Sequence, residues 1–207
     1  MKPKIVVFDL GKVLVDFDYH QSAQALARHA TASAEEIYKF LFEDGWLVQY
    51  EISAIPYELF FTGFCRAVGY RGTREELEHW LGRIFVPIHP MVELLEQVRA
   101  EGFPTWLFSN TNDIAARCVY EDFDFFRRFT GYIYSYEIRS MKPHPPMYEA
   151  LEQRSGCRGA EILYLDDRPE NVEAGVARGW QGLIHADPAV TIPKVWSILK
   201  AESPVGK

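Results

Sequence analysis

Asp9 stands directly behind Ile5-Val6-Val7-Phe8, four apolar residues that favour a strand buried on both faces, and two residues ahead of a turn at Gly11. A carboxylate at the C-terminal end of such a strand lies where open parallel sheets bind ligands. On its own it reads equally as a solvated turn aspartate. Three later apolar runs bear on the choice, because each also ends in groups able to act on a phosphate. TWLFSNTN delivers Ser109 and Asn110, a hydroxyl and an amide that hydrogen-bond phosphoryl oxygens. SMKPHPPMY delivers Lys142 ahead of a proline that keeps it out of helical geometry, where a loop passes into a helix. ILYLDDRPENVEAG delivers Asp166 and Asp167, with Asn171 one helical turn further on. Adjacent acids repel unless they share a cation. A hard divalent metal with oxygen ligands, magnesium above all, resolves the repulsion.

Each piece also has a plainer reading. Ser109-Asn110 suits a turn or a helix cap, Lys142 a surface cation, and Asp166-Asp167 an acidic helix N-terminus favoured by the macrodipole. Their appearance together, in order and at successive strand ends, favours chemistry.

The elements that must position these groups alternate. Strand-like runs occupy 5–8, 105–108, 132–135, 162–165 and 181–185. Helical patterns fill 91–101, where Val92, Leu95 and Val98 share a face, and also 146–154 and 170–178. Such alternation predicts an α/β protein, a doubly wound parallel sheet with helices on both faces. The interval between the first two strands is too long for one crossover helix. Helical candidates at 23–29, 34–42, 56–68 and 73–84 predict a helical cap inserted after the first strand and seated over the strand edge, the last of them opened by a Thr73/Glu76 capping box. The expected division is a core of residues 1–16 and 86–200, a cap of 17–85 with hinges near 17–19 and 86–90, and a flexible tail at 201–207. The alternative for 17–85 is a set of ordinary helices packed on the sheet.

With 207 residues, 48% hydrophobic and 25% charged, the chain suits one good-sized globular domain with a modest insertion. A net charge of -7 spread along the chain offers no electrostatic footprint for nucleic acid or an anionic membrane. An anionic substrate must therefore be met by local cations. Cys65, Cys118 and Cys157 are scattered, which argues against a disulfide framework and fits a reducing cytoplasm. The apolar run after Met1-Lys2-Pro3-Lys4 is broken by Asp9, so neither a signal peptide nor a membrane span is expected. The six histidines show no zinc spacing, and no phosphate-loop or dinucleotide glycine fingerprint occurs.

FDLGKVLVDFD, LFSNTN, MKP and YLDDRPEN appear in the order of the four motifs of the haloacid dehalogenase-like hydrolase superfamily, which the chain resembles over nearly its whole length. Within that family it is most similar to bacterial sugar-phosphate phosphatases of the glucose-1-phosphatase type and to the phosphatase domain of soluble epoxide hydrolases. The resemblance implies a magnesium-dependent phosphatase of a small phosphorylated metabolite, such as a sugar phosphate, working as a monomer or weak homodimer. It implies that Asp9 attacks phosphorus to form an aspartyl-phosphate, and that Asp9, the Gly11 carbonyl and Asp167 hold the metal. Asp166 is then a further ligand through water or the orienter of Lys142. Ser109, Asn110 and Lys142 bind the phosphoryl oxygens, with Asn171 in support. The cations are needed because two like unit charges about 4 Å apart repel by roughly 4 kcal/mol at an effective dielectric near 20.

Gly11 departs from the pattern. Many phosphatases of the family carry there a second aspartate that protonates the leaving group, a service worth about 10²–10⁴-fold. Candidate substitutes are Tyr50 or Glu51, or a sugar leaving group acidic enough to need little help. Trp46, Tyr50 and Glu51 are expected to contact substrate, an aromatic face and an acid suiting a sugar; the alternative is that Trp46 and Tyr50 are cap core. Two other functions compete. A metal-independent haloacid dehalogenase typically has an aromatic where Gly11 stands and a cap arginine, whereas Lys39 is the only basic residue between Ala30 and Cys65. A weakly active, phosphate-binding family member would explain Gly11 differently. A response-regulator receiver fits poorly, because its acid pair precedes its phosphorylated aspartate.

Overall fold

The computed structural model describes residues 2–201, so the expected tail lies, beyond its first residue, outside the described residues. The strands are β1 (Ile5–Phe8), β2 (Val15–Asp16), β3 (Val86–Pro87), β4 (Thr105–Ser109), β5 (Gly131–Tyr134), β6 (Ile162–Asp166) and β7 (Gln181–Ile184). The helices in the first half are α1 (Tyr19–Ala27), α2 (Ala34–Tyr38), α3 (Trp46–Glu51), α4 (Tyr57–Val68), α5 (Arg74–Gly82) and α6 (His89–Ala100). The later ones are α7 (Asp113–Asp122), α8 (Ser135–Ile138), α9 (Pro145–Ser155), α10 (Pro169–Ala177) and α11 (Pro188–Leu199).

All four residues of β1 are buried, as expected of a strand covered on both faces. Side chains alternate across a strand, and here they feed two different cores. Val6 and Phe8 pack with Met91 and Leu95 of α6, Val119 of α7 and Val195 of α11. Ile5 and Val7 pack with Met147 and Tyr148 of α9, Tyr164 and Trp180. The sheet order is β5-β4-β1-β6-β7, and every pairing in it is parallel. The chain winds outward from β1 to β5 on one side, then returns to fill β6 and β7 on the other. The strand order therefore reverses at β1, and the crevice of a doubly wound sheet opens at its C-terminal end.

Residues 17–85 leave and rejoin this core through an antiparallel ribbon that pairs Val15 with Pro87 and Asp16 with Val86. Five helices, α1 to α5, gather a separate apolar cluster around Leu26, Ile37, Leu41, Phe60, Phe64 and Leu77, and Ile114 and Cys118 of α7 join it. The capping box at Thr73/Glu76 is present, and a second, at Ser33/Glu36, opens α2. The helix expected over 34–42 is α-helical only to Tyr38 and continues as a π turn at Lys39–Glu43. Among the described residues, no helix is long and apolar enough to cross a membrane.

Candidate active site

Asp9 leaves β1 with its backbone N–H bonded to the Leu165 carbonyl at 2.9 Å, so the sheet ladder itself fixes where its side chain begins. Its Oδ1 accepts from the Leu10 N–H at 2.7 Å and lies 2.9 Å from Lys142 Nζ. Lys142 is 3% exposed, and its ammonium also donates to Asp166 Oδ2 at 2.6 Å and to the Phe108 carbonyl at 2.8 Å. Three N–H donors thus meet three acceptors. Asn110 fixes this lysine from behind. Its Nδ2 donates to the Lys142 carbonyl at 3.1 Å, and its Oδ1 accepts the Lys142 N–H at 2.8 Å.

Asp166 is fully enclosed. Beyond Lys142, it accepts from the Tyr164 hydroxyl, from the Arg168 N–H at 2.9 Å and from Asn171 Nδ2 at 3.0 Å. These bonds separate the two buried acids electrostatically. For Asp166, burial acts to raise the pKa, but Lys142 and the surrounding donors prevail and hold it below the usual carboxylate range. For Asp9, burial, assisted by the charges of Asp166 and Asp167, outweighs Lys142 and pushes the carboxyl up to about 7. Asp167 is also raised, by burial first and then by Asp166.

One carboxylate oxygen from each of Asp9, Asp166 and Asp167 lies within 4.8 Å of the others. Asn171, next to this cluster, keeps a buried Oδ1 without a hydrogen-bond partner. Three acids, one buried ammonium and a spare acceptor make an oxygen-rich site short of positive charge. That donor set fits a hard divalent cation.

A cavity of about 270 Å³ opens over these groups. Asp9, Gly11, Ser109, Asn110, Lys142, Asp167 and Asn171 line its base, whereas the enclosed Asp166 lies beneath it. Ser109 Oγ has only a long contact, 3.4 Å, to the Asn110 carbonyl. Asn110 differs from expectation, since its side-chain amide is engaged in holding Lys142. The apolar walls come from Phe17, Tyr19, Phe85 and Met141, from Leu41 and Phe42 on the π turn, and from Leu47 and Val48 of α3. Glu51 is the one acid among the wall residues of 17–85.

Trp46 and Tyr50, expected against substrate, do not line the cavity. Trp46 stacks on Phe40, with centroids 5.1 Å apart, and covers Gly63, where an added Cβ would meet its ring at 2.7 Å. Tyr50 stacks on Phe60 at 4.9 Å, and its hydroxyl donates to Asp113. Helix geometry explains the division. Residues 46 and 50 share one face of α3, and residues 47 and 51 share the next, which is the face turned to the cavity. Of the wall residues, Phe17 lies within the first motif and Tyr19 directly follows it, the signal that could have revealed them; Leu41, Phe42, Leu47 and Val48 have no such marker.

An acid, a hydroxyl, a buried lysine and an acid pair thus gather at the carboxyl edge of a doubly wound sheet, where such sheets bind ligands. A family model described as haloacid dehalogenase-like hydrolase matches residues 3–179, and the chain belongs to that family. It is 25% identical over 185 residues to a D-ribitol-5-phosphate phosphatase of Bacteroides thetaiotaomicron, covering 86% of this chain and 89% of that protein. A predicted HAD-like family hydrolase from Porphyromonas gingivalis has a similar fold, with TM-score 0.82, 21% identity and coverage of 98% and 100% of the two chains. So does a HAD family enzyme from Bacteroides thetaiotaomicron, solved in complex with magnesium and inorganic phosphate. There the TM-score is 0.79, at 23% identity over 89% of this chain and 94% of that one.

Proposed function

We propose that the protein is a magnesium-dependent phosphatase of a small phosphate monoester, a sugar or polyol phosphate, with Asp9 as nucleophile. The observation that carries this reading is the buried ammonium of Lys142 held between Asp9 and Asp166, beside Asp167. The named phosphatase activity of the Bacteroides relative supports the class of substrate.

Lys142 orients the Asp9 carboxylate and faces the phosphoryl group with positive charge. Asp166, saturated by four donors, positions Lys142 and does not react. Ser109 Oγ binds an equatorial oxygen, which together with the charge of Lys142 holds phosphorus in line with Asp9. Magnesium, when bound, would be held by Asp9, Asp167 and the Gly11 carbonyl and would supply the charge that lets a carboxylate approach a phosphate dianion. Asp9 then carries the phosphoryl group as an aspartyl-phosphate until water removes it. Residues 17–85 act as the cap. The cavity volume of about 270 Å³ leaves room for one small leaving group and no more. The reading includes a monomer or weak homodimer, and the three free thiols support a reducing compartment such as the cytoplasm.

The test is phosphate release from a panel of sugar and polyol phosphates with magnesium. Release that disappears on chelation and in Asp9→Asn is expected. No release across the panel would overturn the reading.

A further inference from the structure

At position 11 any side chain would have to displace a neighbouring ring. A Cβ there would lie 2.8 Å from Cε1 of Phe17, so the ring occupies the space a second carboxylate would need. Phe17 is held in that place from three directions. Its N–H donates to Asp16 Oδ1 at 2.8 Å, its carbonyl accepts from Lys12 Nζ at 2.8 Å, and the Lys12 ammonium sits 4.7 Å from its ring centroid. A proton for the leaving group must come from elsewhere around the cavity.

The wall offers few donors. Lys12 and Arg168 are engaged in ion pairs with Asp16 and Glu170. Tyr50 is turned away onto Asp113. Glu51 is the one carboxyl that residues 17–85 contribute to the cavity wall, on the cavity face of α3. Its carboxyl is hydrogen-bonded by the side chain of Asn112, which in turn caps α7 through Oδ1 to the Ala115 N–H at 2.9 Å. No ion pair to Glu51 occurs among the described residues. The titratable neighbour facing it is the Tyr19 phenol, itself stacked on Phe42 at 4.2 Å.

We infer that Glu51 is the general acid and base of this site, standing in for the carboxylate that Phe17 excludes from position 11. The inference rests on the phosphatase reading above. In the first step the Asp9 oxygen bonds to phosphorus, the bond from phosphorus to the leaving oxygen breaks, and the Glu51 proton passes to that oxygen. An alcohol and the Glu51 carboxylate result. In the second step a water oxygen bonds to phosphorus as the Asp9–phosphorus bond breaks, and Glu51 takes the water proton. Inorganic phosphate leaves, and both side chains return to their starting forms. Burial supports the role: it pushes the Glu51 carboxyl up to about 7, against the opposing hydrogen bond from Asn112.

The experiment compares an alkyl phosphate with an aryl phosphate, whose leaving group departs without a proton, in wild type and Glu51→Gln. Glutamine keeps the size of the side chain and its bond to Asn112, and a matching circular dichroism spectrum verifies the fold. Glu51→Gln is expected to lose about 10²–10⁴-fold in kcat/KM on the alkyl ester and less than about tenfold in kcat/KM on the aryl ester, while kcat falls on both because they share the second step. The alkaline limb of the alkyl-ester pH profile is expected to vanish with it. Equal losses in kcat/KM on both esters, or no loss on either, would overturn the role of Glu51. Failure of the wild type to hydrolyse even the aryl ester would instead remove the phosphatase reading beneath it.

Discussion

Lys142 illustrates how one side chain is both foundation and reagent. Its ammonium is enclosed, and each of its three donors has one acceptor, two of them carboxylates. Removing one partner of a buried ion pair costs about 3–5 kcal/mol, because the other charge is left uncompensated. Lys142→Met is therefore expected to abolish turnover and to lower stability by about that amount in chemical denaturation. Magnesium should restore part of the lost stability, since a second cation then faces the same acids. Glu51 makes an opposite prediction about pH. Its folded-state pKa is raised from 4.5 to about 7, so the folded protein binds the extra proton. The carboxyl thus costs nothing below about pH 4.5, and its penalty develops as pH rises toward 7. Relative to Glu51→Gln, the wild type should lose on the order of 1–3 kcal/mol between pH 4.5 and 8, read as diverging denaturation midpoints.

Element by element, the π turn and the short helix α3 set the shape of the cavity. Tyr50→Phe removes a hydroxyl that bonds Asp113 on the far side of α3, so it should change kcat/KM by less than about threefold while costing roughly 1 kcal/mol of stability. Gly11→Ala drives a Cβ against Phe17 and should cost about 1–3 kcal/mol, with much of the loss relieved in Gly11→Ala/Phe17→Leu. The chemical base of the site was legible in sequence because parallel strands covered on both faces are continuous apolar runs, and their polar ends stand out. Asp9, Ser109 and Asp166 stand at the ends of such runs, and Lys142 is marked instead by the proline that follows it. The walls were not legible. Which face of a six-residue helix meets the cavity depends on packing against α4 and α7, and the expectation for Trp46 and Tyr50 failed there. Two helices, α7 and α11, fall outside the helical stretches read from the sequence. In α7, Ile114 and Cys118 serve the helical unit's core while Ala116 and Val119 serve the sheet, so its apolar face is shared between two units. In α11, Pro193 interrupts the helix interior and removes a backbone donor.

The whole molecule joins the two apolar cores of the sheet to the separate core of residues 17–85, with the β2–β3 ribbon as the covalent link and α7 packed against one sheet core and the helical cluster. The sheet supplies a rigid base, and residues 17–85 supply walls that differ in chemistry from that base. Binding a cation only in the folded state stabilises by mass action, about 2.7 kcal/mol at a hundredfold excess over Kd. Magnesium should therefore raise the melting temperature of the wild type and leave Asp9→Asn/Asp167→Asn nearly unchanged. The most direct test of Asp9 as the phosphoryl acceptor is an acid-quenched turnover with a radiolabelled phosphate ester, followed by peptide mapping. Label on the peptide that contains Asp9, absent in Asp9→Asn, is the predicted result; phosphate release at the wild-type rate by Asp9→Asn, with no labelled peptide in either protein, would contradict it.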